Sequence, residues 1–261
     1  MQLKKRYARE VSEGLSRLGS HSLGIVTEAD VEHLPEKVQQ YLRYTGVMGC
    51  EKVTRFFVRA LGTIRMQEGE KEWMTFESQQ YNFLDVPTRL FYIKARKRGV
   101  PATGLHHFKN GVASMVIKLA GLFTIADARG DEMNQSEAVT FFNDMCLMAP
   151  ATLVSPTIRW KEMSVNHLKA DFRIGHVTIS AYLYFDNEGR LVNFVSYDRY
   201  ESVDGKSYHN YPWKTPVLEY GEFNGFRLPS KADAIWEKPE GDFCYGKFNL
   251  EEIRFNISDA R

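Results

Sequence analysis

The side chains that could do chemistry are scattered, and their spacing excludes the common local motifs. There is no HExxH, no GxSxG, no GxxxxGK[ST] and no GxGxxG after a strand, which disfavours zinc-hydrolase, serine-hydrolase, P-loop and dinucleotide chemistry. His106 and His107 are adjacent, so in a strand they point to opposite faces and do not readily share a metal. One of the two is a candidate ligand or base, while His167 and His176 stand alone and read as structural. Asp127, Arg129 and Asp131 cluster ahead of a helical stretch. They read either as a turn ion pair with a helix cap or as a polar lip at a pocket mouth, with Arg129 holding an anionic group. Asp198, Arg199 and Tyr200 suggest a cross-strand ion pair or part of an acid/base site. Glu77 shares one strand face with Trp73, Tyr81 and Phe83, which suits either an edge strand's solvent face or a polar group orienting a ligand.

The elements that position these residues follow from hydrophobic period. Residues 1–18 read as a short amphipathic helix with Val11, Leu15 and Leu18 on one side, and Gly19 to Gly24 as a Ser/Gly linker. Thr27 and Asp30 form a capping pair, Pro35 suits the first turn of a second helix, and Gly46 ends it. From about residue 52 the period changes to two, which marks strands. The clearest alternation runs through Leu168, Ala170, Phe172 and Ile174, then Val177, Ile179, Ala181, Leu183 and Phe185. Asn110-Gly111 is a strong two-residue hairpin signal. Consecutive strands with tight turns make an antiparallel meander, and about ten of them should curl or close rather than stay flat.

One helix interrupts the strands at residues 131–148. It is expected to be amphipathic, with an Asn134/Glu137 cap-like pair and a stripe of Phe141, Phe142, Met145 and Met148. That stripe is either core or the lining of an adaptable apolar cavity beneath a lid helix. The expected fold class is α+β, predominantly antiparallel β: a curved meander or half-barrel with N-terminal helices and one mid-chain lid helix. Residues 1–26 form the helix and linker, and 27–261 a single β-rich domain.

Composition narrows the function classes. The chain has 261 residues, 43% hydrophobic and 26% charged, which is globular rather than disordered. A net charge of +1 and a pI near 7.7 do not suggest a nucleic-acid partner. The densest basic run, Arg89, Lys94, Arg96, Lys97 and Arg98, reads as a solvated strand face or an anionic-ligand patch. Cys50, Cys146 and Cys244 are far apart, which argues against a disulfide framework or a cysteine zinc site. No metal or cofactor is expected. No apolar run is long enough to span a bilayer, so the chain as given reads as soluble, either cytoplasmic or envelope-associated.

The stretch Leu34-Pro35-Glu36-Lys37-Val38-Gln39-Gln40-Tyr41-Leu42-Arg43-Tyr44-Thr45-Gly46-Val47 resembles the opening signature of a bacterial family of unknown function. Ile125-Ala126-Asp127-Ala128-Arg129-Gly130 resembles its second signature, and Gly225-Phe226-Arg227-Leu228-Pro229 lies within a third. The resemblance spans about residues 27–256 and implies no activity. Members often begin with membrane-spanning segments, so membrane association through a segment absent from this chain is an expectation of the resemblance. The architecture is also similar to the lipoprotein-carrier fold of LolA and LolB, in which a curved antiparallel sheet wraps a helical lid.

The leading expectation is a domain that binds a hydrophobic small molecule or lipid, acyl chain or lipoprotein between the curved sheet and the mid-chain helix. Its candidate ligand-binding residues are Phe141, Phe142, Met145, Met148, Asp127, Arg129, Glu77 and Trp73. The sequence leans away from catalysis. The alternatives are an enzyme with a non-local acid/base site, a hydrolase or isomerase built from Glu77, Asp127, Arg129 and Arg199, or a ligand-free envelope-associated interaction module.

Overall fold

The computed structural model describes residues 2–17 and 24–259. Leu18 and residues 19–23, where the Ser/Gly linker is expected, lie outside the described residues. The N-terminal helices are α1 (Gln2–Arg17), α2 (Glu28–Val31) and α3 (Glu36–Thr45). A meander follows: β1 (Arg55–Ile64), β2 (Met74–Phe83), β3 (Thr88–Lys97), β4 (Val100–Lys109), β5 (Val112–Leu119) and β6 (Phe123–Arg129). Helix α4 (Asp131–Met148) and a 3-10 turn (Pro150–Val154) lead to β7 (Ile158–Ser164), β8 (His167–Ile174), β9 (Val177–Phe185) and β10 (Leu191–Ser196). Short strands β11 (Tyr200–Glu201), β12 (His209–Asn210) and β13 (Trp213–Lys214) precede the long β14 (Val217–Phe223), β15 (Phe226–Lys238) and β16 (Gly241–Phe255).

The local signals read from the sequence have direct counterparts. Thr27 and Asp30 make a reciprocal capping box, and Gly46 closes α3 at φ 80°. Pro35 is the residue before the first helical turn rather than within it. Asn110 and Gly111 both take positive φ, 49° and 86°, which the two-residue hairpin demands.

The sheet is larger than the expected ten strands. Among the described residues fourteen strands form one antiparallel sheet in the order β6-β5-β4-β3-β2-β1-β16-β15-β13-β10-β9-β8-β7, with β14 added on β15. The final strand, β16, inserts between β15 and β1 and so joins the two meanders. The edges β6 and β7 escape sequence reading because most of their residues are exposed, which erases the apolar alternation. They are consecutive in the chain, and α4 carries the chain from one edge to the other.

That connection curls the sheet. Laid flat, the nine steps from β5 to β9 would span about 43 Å at roughly 4.8 Å each. Yet α4, roughly 10 Å thick, touches both strands. The flanks also meet at one end: a Cβ on Gly175 would lie 3.0 Å from the Asn110 carbonyl oxygen, so the β8–β9 turn abuts the β4–β5 turn. The sheet is therefore a curved, unclosed wrap with α4 in its hollow.

The two faces of the wrap are covered differently. On the outside, α1 lays Leu3, Tyr7 and Val11, spaced at i, i+4 and i+8, on Phe57, Tyr81, Phe83, Leu90 and Tyr92. Inside, α4 departs from the amphipathic expectation, for fourteen of its eighteen residues are buried. Phe141 and Phe142 stack on Phe172 with ring centroids 6.3 and 4.9 Å apart, and Met145 joins the same core cluster. Tyr41 of α3 donates to the Cys146 carbonyl at 2.8 Å, which satisfies a last-turn acceptor of α4. No described helix is long and apolar enough to cross a membrane.

Candidate functional site

The other side of α4 faces a hollow. Met133, Glu137, Thr140, Asp144, Leu147 and Met148 of the helix look across a cavity of about 360 Å³ at the inner face of β1–β5, with β15 and β16 completing the wall. That volume is in the range of small-molecule sites. Strand alternation supplies the lining. On β3 the inward residues are Arg89, Phe91, Ile93 and Ala95; on β4 they include Ala102, Gly104 and His106. Val58, Met74, Ile117, Phe248 and Leu250 extend the apolar wall, and Leu119 and Ile125 sit both in that lining and on the exposed surface at its rim.

Against these apolar walls lies a charged floor. Arg89 is buried and donates three ways: Nε to Asp144 Oδ2 at 2.7 Å, Nη1 to Glu137 Oε2 at 3.1 Å, and Nη2 to Gln80 Oε1 at 3.0 Å. Gln80 Nε2 and Asn82 Nδ2 also donate to Asp144 Oδ2, at 2.7 and 3.2 Å. His106 Nδ1 lies 2.7 Å from Glu137 Oε1, and the Phe91 ring stands edge-on to the imidazole at 5.5 Å. Among the described residues the imidazole of His106 bonds through Nδ1 alone, so Nε2 has no hydrogen-bond partner there.

The two carboxyls differ in electrostatics. Burial alone would push Glu137 up, but His106 and Arg89 reverse that and hold it at about 2. It is therefore ionised and acts as the acceptor, so His106 Nδ1 carries the proton. Burial pushes Asp144 above its ordinary value, a pull that Arg89 and Asn82 oppose. One guanidinium thus serves two buried carboxyls whose titrations move in opposite directions.

A second arginine borders the same floor. Arg199 donates from Nε to Thr140 Oγ1 at 3.2 Å and from Nη1 to the Tyr245 hydroxyl at 3.4 Å. Its guanidinium lies 4.3 Å from the Trp213 ring centroid and 4.9 Å from that of Trp236. Trp213 Nε1 donates to the same Tyr245 hydroxyl at 3.1 Å, which fixes the box around the cation.

Of the eight residues singled out in the sequence, Met148 alone lines this cavity. Phe141, Phe142 and Met145 pack on the opposite side of α4 in the main core. Asp127 and Arg129 are exposed and pair with each other at 3.0 Å. The loop at Gly205 covers that strand edge: its φ is 76°, and a Cβ there would meet the Asp127 backbone at 2.8 Å. Glu77 is exposed, and Trp73 is held between Arg65 and Lys247 outside the cavity lining. The four residues weighed as an acid/base set therefore do not converge, since Arg199 alone of them faces the cavity. Asp198 does not pair with Arg199; it accepts from the Ser180 backbone N–H at 2.6 Å.

The floor residues left unassembled by sequence reading are Gln80, Asn82, Arg89, Glu137, Thr140 and Asp144. A signal for them exists. Glu137, Thr140 and Asp144 are spaced i, i+3 and i+7, which aligns them on one helical face. Arg89 belongs by alternation with Phe91, Ile93 and Ala95, whereas Lys94 and Arg96 of the same basic run are exposed on the other face.

Two solved structures are similar to this chain. One, described as a putative outer membrane lipoprotein-sorting protein domain from Vibrio parahaemolyticus, shares 11% identity over 79% of this chain and 87% of its own, with a TM-score of 0.47. The other, a LolA superfamily protein from Nitrosomonas europaea, shares 7% identity over 85% of this chain and 92% of its own, with a TM-score of 0.43. No curated protein matches. Residues 24–248 match a family of unknown function, DUF6544, and the chain belongs to that family.

Proposed function

We propose that this DUF6544 member binds a hydrophobic ligand, a lipid or acyl chain, in the hollow between α4 and the inner face of β1–β5. The observation that carries this reading is the cavity of about 360 Å³, walled by apolar side chains and closed by one charged floor. An apolar chain gains roughly 0.8 kcal/mol per methylene removed from water, so a wall of this kind is a binding surface for such a chain. It speaks for a ligand domain over a ligand-free interaction module, which needs no hollow interior. Native mass spectrometry of the purified chain, paired with organic extraction, tests the reading. A bound, extractable lipid is the expected result; a chain that co-purifies with none and takes up none from mixed lipids would overturn it.

A second reading has its own observation. The His106–Glu137 pair orients an imidazole with Nε2 unengaged at the cavity surface, the arrangement a general base requires. Under this reading the cavity is the active site of an acid/base enzyme. A panel of acyl esters assayed with the wild type and with His106→Gln decides it: turnover lost in the variant supports the enzyme, and no turnover by the wild type sinks it.

A further inference from the structure

We infer that the cavity selects a single-chain amphiphile with a carboxylate head, and that Arg199 and His106 hold that head. This deepens the binding reading above and rests on it.

The floor's other charges are engaged. Arg89 is shared among Glu137, Asp144 and Gln80, and both oxygens of Glu137 are taken, by His106 and Arg89. Arg199 is different. Among the described residues it makes no ion pair; its two hydrogen bonds go to neutral hydroxyls at 3.2 and 3.4 Å. Trp213 and Trp236 hold its guanidinium at the cavity wall. This half-buried cation feels the Glu137 carboxylate but is hydrogen-bonded only to hydroxyls, so it gains from an anion that bonds it directly, because charge-assisted bonds are about twice as strong as neutral ones. Its Nη2 has no partner among the described residues.

His106 supplies the second donor: with Nδ1–H held by Glu137, its Nε2 takes the proton of the entering acid and donates it back to the head as a hydrogen bond. Its partner Glu137 and the Arg199 partner Thr140 are one turn apart on the same face of α4, so imidazole and guanidinium border the same stretch of the cavity. Two donors suit the two oxygens of a carboxylate. A cationic head would find both floor carboxylates already engaged by Arg89.

Volume sets the tail. A hollow of about 360 Å³ lies toward the small end of ligand sites, which favours one medium chain over several.

The test is calorimetric titration of the purified, lipid-extracted full chain with dodecanoate, dodecanol and dodecyltrimethylammonium, each below its micellar concentration. Dodecanoate should bind at least about tenfold tighter than dodecanol, with the ammonium weakest. In Arg199→Gln and in His106→Gln, the ratio of acid to alcohol affinity should fall toward one. Because the three ligands differ only in their heads, the wild type alone decides the matter if a variant fails to fold. Dodecanol binding as tightly as dodecanoate would overturn the inference while leaving the binding reading in place. So would an acid preference unchanged in both variants. Failure of all three ligands to bind would overturn the binding reading itself.

Discussion

Arg89 Nε lies 2.7 Å from Asp144 Oδ2, and through this contact a strand in the N-terminal meander grips the helix that fills the sheet's hollow. The same guanidinium reaches Glu137, two turns earlier on the helix, at 3.1 Å. All three side chains are buried.

Removing the cation alone should therefore be costly. Arg89→Met leaves two buried carboxyls without their shared partner, a loss of about 3–5 kcal/mol. The triple variant Arg89→Met/Glu137→Gln/Asp144→Asn removes the stranded charges and should recover most of that loss. Urea unfolding of the two variants beside the wild type measures both; equal destabilisation of the two would show that the charges are not what Arg89 serves.

Acid should act on the floor through Glu137. Its carboxyl has a folded value of about 2 against an ordinary 4.5, so its stabilising contribution is full above 4.5 and is lost as pH falls from there through 2. Asp144 works the other way, since a raised folded value gives stability that is present at low pH and lost as pH rises through it. Glu137→Gln removes the first effect, so its stability should fall less steeply than that of the wild type between pH 4.5 and 2. Thermal melts across that window provide the check, and parallel curves would contradict the assignment.

Filling the cavity should block ligand without unfolding the chain. Ala102 lies in the cavity lining on β4, and Ala102→Trp places an indole in the hollow. The variant should melt near the wild type and lose uptake of a fluorescent fatty-acid probe. Unchanged uptake would place the ligand elsewhere.

The other side of α4 should behave as core. Phe142 stacks on Phe172 at 4.9 Å and meets Phe194 edge-on at 5.9 Å. Phe142→Ala should cost about 3–5 kcal/mol, read by chemical denaturation. A cost under about 1 kcal/mol would mean the site collapses freely or already holds space.

Much of the fold was legible because period and turn chemistry act locally. The capping pair at Thr27 and Asp30, the Gly46 stop and the Asn110-Gly111 hairpin each depend on residues within a few positions of one another. The edge strands were not legible, since β6 and β7 lie largely exposed and carry little apolar alternation. The site was harder still. The Phe/Met stripe of α4 is apolar and draws attention, yet a helix buried on nearly every side has an equally important polar face. Glu137 and Asp144 gain meaning only from Arg89, more than forty positions away in sequence, and the curl of the sheet alone brings them together.

The insertion of β16 between β15 and β1 has a consequence for how the chain reaches this state. Phe56 pairs with Phe255, so the seam that unites the two meanders closes only when nearly the last strand has been made. Pairings of such long sequence separation slow folding, because the closure entropy must be met before the contacts form. The late strand is thus a keystone: truncating the chain ahead of Gly241 should leave two half-sheets prone to edge-to-edge association rather than a smaller version of the same wrap.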